Sequence, residues 1–147
     1  MAIVNVTPDS FSDGGERIDP ARAVDDGLRF VAEGADILDI GGESTRPGSQ
    51  PTSPEDELGR ILPVVDGLAR HRVNISIDTR RASVARAALD AGARIVNDIS
   101  ALRDDPAMLP LVVERGCEVV LMHRRGLPEN RFAGPAYVDV VEEVREF

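Results

Sequence analysis

The chain has 147 residues, 42% of them hydrophobic and 29% charged, with 26 acids against 17 bases and a formal net charge of −9. Those proportions suit one ordinary domain over 1–147 with a real core, and they exclude an intrinsically disordered segment. The acidic balance, four Phe, one Tyr and no Trp exclude a basic or base-stacking surface for nucleic acid, so an anionic ligand needs local donors, a metal ion or both.

No apolar run approaches the roughly 20 residues that span a bilayer. No basic segment followed by an apolar one marks a secretory signal. The single cysteine, Cys117, rules out an internal disulfide and reads as a small core residue at the start of a strand. The expectation is a cytoplasmic protein without membrane contact.

Ala2 to Val6 is a short apolar strand interrupted by Asn5, and it delivers a small-polar loop that closes on Gly14-Gly15. Asp19 caps a helix with Pro20 at its first position; Ala23, Val24, Leu28 and Val31 share a face, and Gly34 supplies the stop. Asp36 to Ile40 is a second strand, followed by Gly41-Gly42-Glu43-Ser44-Thr45-Arg46-Pro47-Gly48, too elaborate for a simple connector. Ser53 and Pro54 open a second helix, with Glu55, Asp56 and Glu57 in the first turn, where carboxylates suit the dipole. Its buried stripe is Leu58, Ile61, Leu62, Val65 and Leu68, and Pro63 inside that stripe predicts a kink or an early end near Leu62. Val73 to Ile77 is a third strand closing on Asp78-Thr79, and Arg81 to Ala91 a third helix. Arg94 to Ile99 is a fourth strand with Asn97 and Asp98 at its end. Asp105-Pro106 starts a fourth helix that reaches Arg115. Glu118 to Met122 is a fifth strand, His123 to Pro135 a long loop, and Tyr137 to Phe147 a fifth helix.

A faint repeat supports this parsing. Gly34-Ala35, Gly92-Ala93 and Gly116-Cys117 each separate a helix end from an apolar strand. Strict alternation of strands and helices, with short continuous apolar strands, means a parallel sheet covered by helices, either doubly wound or a (β/α)8 barrel. Strand one is followed by Thr7-Pro8-Asp9 rather than a glycine-rich phosphate loop, which favours the barrel.

Asn5, Asp39, Asp78, Asn97 and His123 are placed at or just past the C-terminal ends of successive strands, the catalytic face of a barrel. Each has a plainer reading. Asn5 can bond loop backbone, Asp78 can cap the third helix, Asn97 and Asp98 can form a buried pair, His123 can be a satisfied structural histidine, and Glu43 can tie down its own loop. The weight comes from all five strand ends being polar at once. A carboxylate accepts from paired N–H donors and an amide offers both roles, which is how a guanidine-like edge of a pterin or purine is read. The His and Cys clusters of a zinc site are missing. Mg2+ held by oxygens such as that of Asn5 together with a ligand's phosphates fits the hard-cation pattern.

Asn5-Val6-Thr7-Pro8-Asp9-Ser10-Phe11-Ser12-Asp13-Gly14-Gly15 resembles the first signature of the dihydropteroate synthase family. Asp39-Ile40-Gly41-Gly42-Glu43-Ser44-Thr45-Arg46-Pro47-Gly48 is similar to its second. Ser76-Ile77-Asp78-Thr79, Asn97-Asp98-Ile99-Ser100 and Leu121-Met122-His123 follow its later strand ends in order and spacing. The resemblance runs from residue 3 to about 145. It implies a (β/α)8 TIM barrel of the pterin-binding type that joins 4-aminobenzoate to a 6-hydroxymethyl-dihydropterin diphosphate in folate synthesis, as a cytoplasmic homodimer at full length. By the same resemblance Asp78 and Asn97 read the pterin edge, with Ile99 and Met122 lining the pocket. Asn5 meets Mg2+ and the diphosphate, and Thr45 and Arg46 help to bind the diphosphate. Phe11, Ser12, Thr45 and Pro47 belong to the loops around the aminobenzoate, where sulfonamides compete. Asn5, Thr45, Arg46 and Asp78 form the expected catalytic set.

The family's Asp-Pro-Gly-x-Gly-Phe and Ser-Arg-Lys motifs do not occur in these 147 residues. The resemblance therefore covers about five βα units, the N-terminal part of one barrel, and this segment alone is expected to turn over no substrate. Two other readings compete. One is the pterin-binding domain of a corrinoid methyltransferase, against which the Thr7-Pro8-Asp9-Ser10-Phe11 loop counts. The other is a non-catalytic pterin-binding paralogue, against which the intact Phe11, Thr45, Arg46 and Pro47 count.

Overall fold

The structure, a computed structural model, describes residues 1–7, 19–43, 52–123 and 137–147. Within them the chain alternates strand and helix. The elements are β1 (Ala2–Asn5), α1 (Pro20–Ala32), β2 (Leu38–Gly41), α2 (Pro54–Ala69), β3 (Ile75–Asp78), α3 (Ala82–Ala91), β4 (Ile95–Asp98), α4 (Met108–Arg115), β5 (Glu118–Leu121) and α5 (Val140–Glu146). The strands form one parallel sheet in the order β1-β2-β3-β4-β5.

That order decides between the two layouts. A doubly wound sheet reverses direction at a switch point and covers both faces. Here each strand pairs with the next in sequence, and the helices pack in the same order, α1 on α2, α2 on α3 and α3 on α4. One helical layer on one sheet face is the wall of a (β/α)8 barrel, so the expected fold class holds for five consecutive units.

Local chemistry explains the elements. Asp19 accepts from the Ala21 amide at 2.9 Å and Ser53 from Asp56 at 3.1 Å, each followed by proline, so both expected caps are in place. The three glycine stops all sit at positive φ, Gly34 at 105°, Gly92 at 118° and Gly116 at 59°, where any other residue is strained. The repeat seen in the sequence is therefore one backbone device used three times. α1 and α2 approach closely: a Cβ on Gly67 would lie 2.6 Å from Val24 Cγ2. The core fills the space between sheet and helices, with Leu38, Ile40, Ile61, Val65, Leu68, Ile75 and Ile77 fully buried.

Several element boundaries differ from expectation, among them those of the second and fourth helices. α2 does not end near Leu62 but runs through Pro63 to Ala69. Pro63 and Gly59, whose carbonyl loses its donor, both face solvent, while Ile61, Val64, Val65 and Leu68 are fully buried on the other side. Water replaces the missing hydrogen bond, and burial of the stripe outweighs the break. The fourth helix begins at Met108, after a turn in which Asp105 Oδ1 accepts from Ala107 N at 2.9 Å. The other oxygen of Asp105 accepts from Ala82 N at 2.8 Å, so it also caps α3, whose own N-cap residue, Arg81, makes no side-chain cap bond.

Candidate functional site

Parallel register sets the site. Asn5 pairs with Gly41, Gly41 with Asp78, Asp78 with Asn97 and Asn97 with Val120, so these five residues form one row across the C-terminal end of the sheet. Strand alternation turns their side chains away from the helices, because Val4, Ile40, Ile77 and Val96, one residue earlier, are the ones buried in the core. Gly41 makes the row concave. A Cβ placed there would lie 3.5 Å from Asp78 Oδ2 and 3.9 Å from Asn5 Oδ1, so the polar ends of both side chains converge on the space that glycine leaves open.

Asp39 is not at the strand end, as the sequence suggested. Gly41 still pairs on both sides, which extends β2 by one residue and leaves Asp39 one layer deeper, opposite Ile3 and Ser76. It is 4% exposed and accepts from Asn97 Nδ2 at 2.9 Å. Its other oxygen, Oδ1, and the fully buried Ser76 Oγ have no hydrogen-bond partner among the described residues. Burial, followed by the negative charges of Asp39, Glu57, Asp98 and Glu43, pushes the Asp78 carboxyl up to about 7. Unpartnered buried polar atoms cost free energy unless a ligand completes them. Together with a carboxyl raised this far they mark the row as a binding surface.

The remaining sequence candidates fall in several places. Ile99 follows β4, half-buried, and Met122 follows β5, 38% exposed, both in step with Asn97 and Val120 along their strands. His123 takes no part in the row: its Nδ1 lies 3.0 Å from the Tyr137 hydroxyl and its ring packs edge-on against Phe147. Asp98 does not pair with Asn97. It points to the opposite face and accepts from Ser100 N at 2.7 Å and Leu102 N at 2.9 Å, holding a turn in which Ala101 and Leu102 both have positive φ. Phe11, Ser12, Thr45, Arg46 and Pro47 lie outside the described residues.

Behind the row lies a charge cluster that the sequence reading missed. Arg81 bonds both oxygens of Glu43 (2.9 and 3.1 Å), the carbonyl of Thr52 (2.8 Å) and the 1%-exposed carboxylate of Glu57. Arg80 joins Glu43 to Asp104, each at 3.3 Å. Arg60 donates to the Gly42 carbonyl at 2.9 Å and Glu43 accepts from Thr52 N at 3.3 Å, so residues on either side of the 44–51 segment are tied to one another. Burial alone would raise the Glu43 carboxyl, but hydrogen bonds and charge from Arg81 and Arg80 outweigh it and hold the group below its ordinary value. Glu57 had a signal in the sequence: it precedes Ile61, Val64 and Leu68 by 4, 7 and 11 positions, the spacing of the buried face. As for metal, no group of three or more His, Cys, Asp or Glu that could hold an ion occurs among the described residues.

A sequentially ordered parallel sheet under one helical layer, with a carboxyl, two amides and a glycine gap at its C-terminal edge, defines the wall of an α/β barrel built to bind a small polar ligand. The chain belongs to the pterin binding enzyme family, whose family model matches it over residues 1–147. It is 58% identical over 146 residues to the dihydropteroate synthase of Mycobacterium leprae, covering 99% of this chain and 51% of that protein. Among solved structures it is similar to Yersinia pestis dihydropteroate synthase in complex with a sulfonamide drug, at 42% identity and a TM-score of 0.87 over 99% of this chain and 53% of that one. It is also similar to Xanthomonas albilineans dihydropteroate synthase with 4-aminobenzoic acid, at 49% identity and a TM-score of 0.84 over 99% and 51%. The chain spans about half the length of the curated relatives it matches.

Proposed function

We propose that this chain forms the pterin-reading part of a dihydropteroate synthase, the N-terminal portion of one barrel domain. The reaction joins 4-aminobenzoate to 6-hydroxymethyl-7,8-dihydropterin diphosphate. The arylamine nitrogen forms a bond to the pterin methylene carbon, the carbon–oxygen bond to diphosphate breaks with its electron pair leaving on oxygen, and the amine loses a proton. One observation carries the reading: Asp78 and Asn97 stand side by side at paired strand ends, one a carboxyl and the other an amide, on a concave row with unpartnered buried oxygens beneath. A pterin edge offers adjacent N–H donors to the first and a further N–H donor to the amide oxygen of the second. The names of the relatives, the M. leprae enzyme among them, support the same activity.

Asn5 supplies one amide oxygen toward the open space at Gly41. That fits Mg2+, which keeps most of its octahedral shell as water and substrate phosphate oxygens and takes few protein ligands. The ion would supply charge neutralisation for the diphosphate. The residues of this chain bind and orient the ring, and a network around Arg81 fixes Glu43 and Thr52. Thr45 and Arg46 serve the diphosphate in this reading, and Phe11, Ser12 and Pro47 the aminobenzoate. No described helix is long and apolar enough to cross a membrane. The proposed location is the cytoplasm, where Cys117 stays a free thiol.

Coupled binding tests the proposal. Titration of 4-aminobenzoate into the intact protein is expected to give a saturable signal only when a pterin and diphosphate are present, with 7,8-dihydropteroate formed from the pterin diphosphate. Pterin binding without that coupling and without product would contradict a synthase and leave a pterin-binding module.

A further inference from the structure

We infer that Asp39 is a specificity-determining positioning residue: it fixes the rotation of the Asn97 amide, and so decides which hydrogen-bonding edge Asn97 presents to a ligand. The inference rests on the pterin reading of the row and deepens it.

A side-chain amide has two ends of nearly equal shape and opposite hydrogen-bonding character, and a flip about its last bond costs little unless a neighbour opposes it. Asp39 opposes it. A carboxylate only accepts, so the contact of 2.9 Å between Asp39 Oδ2 and Asn97 can be filled only by the Nδ2 end. With Nδ2 anchored on the layer below, Asn97 Oδ1 is neither bonded to Asp39 nor among the buried unpartnered atoms, and it is left on the open side of the row. The site therefore shows a carbonyl acceptor from Asn97 beside the carboxyl of Asp78. That pair selects rings with N–H donors at neighbouring positions and rejects rings that carry a carbonyl in place of the amino group.

Asp39 itself is held to that task. It is 4% exposed, and its neighbour in the register, Ser76, is fully buried with its hydroxyl unpartnered among the described residues. Asn97 is the partner the structure gives its carboxylate, and the bond links residues 58 positions apart in sequence. A charge-bearing side chain kept this deep and this sparsely satisfied is expensive as a structural element. Control of the amide above it accounts for its identity as Asp rather than an apolar residue of similar size.

The test compares two rings on the intact protein by calorimetric titration: pterin, which carries the 2-amino group, and lumazine, which has a carbonyl there. Wild type is expected to prefer pterin by about 100-fold or more, because a site built for a donor leaves buried acceptors facing one another when the donor is absent. Asp39→Asn can hold Asn97 either way round, so the preference should fall to roughly tenfold or less, with the loss mainly in pterin affinity. A purely structural role would lower the melting temperature while leaving the ratio of the two affinities unchanged, and that result overturns the inference. Should Asp39→Asn fail to fold, Asp39→Ser, whose small hydroxyl also accepts or donates, is expected to show the same collapse of the ratio, and retention of the ratio there overturns it equally. Wild-type protein that binds neither ring, or both alike, contradicts the pterin reading itself and this inference with it. A wild-type preference that survives in the variants contradicts the inference alone.

Discussion

Two clusters of charge sit at the same end of this sheet, and their neighbours shift the carboxyl at each in opposite directions. Around Arg81 both oxygens of Glu43, one oxygen of Glu57 and the Thr52 carbonyl meet guanidinium or amide donors, Glu57 Oε1 is left without a partner among the described residues, and Glu43 is held below its ordinary carboxyl range. On the concave row Asp39 and Ser76 keep buried oxygens without partners among the described residues, and Asp78 is raised to about 7 by burial and by the carboxylates around it. A network whose carboxylates are paired with guanidinium groups holds backbone in place. A row of buried acceptors gathered around a raised carboxyl is kept for something outside the chain. The first is read here as scaffold for the loop after β2, the second as the ligand surface.

Breaking the scaffold should produce the largest change in stability. Arg81→Ala leaves Glu57 buried and unpaired and removes two bonds from Glu43, which costs about 3–5 kcal/mol in urea unfolding. Replacing the pair together, Arg81→Met with Glu57→Leu, should recover most of that loss, since no buried charge then remains at position 57. If Arg81→Ala unfolds like wild type, the cluster is not a scaffold.

The row should respond with the opposite sign. Asp78 keeps a proton in the folded chain up to about pH 7, whereas an ordinary carboxyl releases it near 3.8. Between those values the folded state binds the proton more tightly than the unfolded state does. Stability therefore falls as pH rises through the window, and the cost is fully present above 7. Asp78→Asn removes it, so the variant should gain about 2 kcal/mol at pH 8 and nothing at pH 4, after allowance for solvent at a partly open site. Equal stability of the two proteins at pH 8 would place Asp78 with the carboxylates whose charge is compensated, as Glu43 is.

A smaller effect separates ordinary fold chemistry from both clusters. Asp105→Ala removes the shared cap of α3 and of the turn before α4 and should cost about 1 kcal/mol, without effect on ligand. A change in pterin affinity in this variant would show that the two clusters are less independent than their hydrogen bonds indicate.

The sequence made much of the row legible, because short apolar strands ending in Asn5, Asp78 and Asn97 obey the two-residue alternation that puts such side chains on one face. The three glycine stops and the caps at Asp19 and Ser53 were legible for the same local reasons. Asp39 was misplaced by one layer because Gly41 reads as loop and in fact pairs on both sides; the register is a property of two strands at once. Glu57 was hidden by its own helix. A carboxylate in a first turn has a sufficient local explanation in the dipole, and its real partner, Arg81, is 24 residues away. Pro63 failed as a stop because the burial of four apolar neighbours is a tertiary effect. His123 followed the pattern of the strand ends, yet it is engaged by Tyr137 and Phe147, contacts that a strand-end pattern does not reveal.

The account turns on Asp78 costing stability in order to bind. Calorimetric titration of pterin into intact wild-type protein and Asp78→Asn at pH 8, with melting temperatures from the same samples, measures both sides of that claim. The predicted result is a variant that melts higher and binds pterin about 100-fold or more weakly, because an amide cannot accept from two ring donors as a carboxylate does. A variant that melts higher and binds pterin as well as wild type would contradict it.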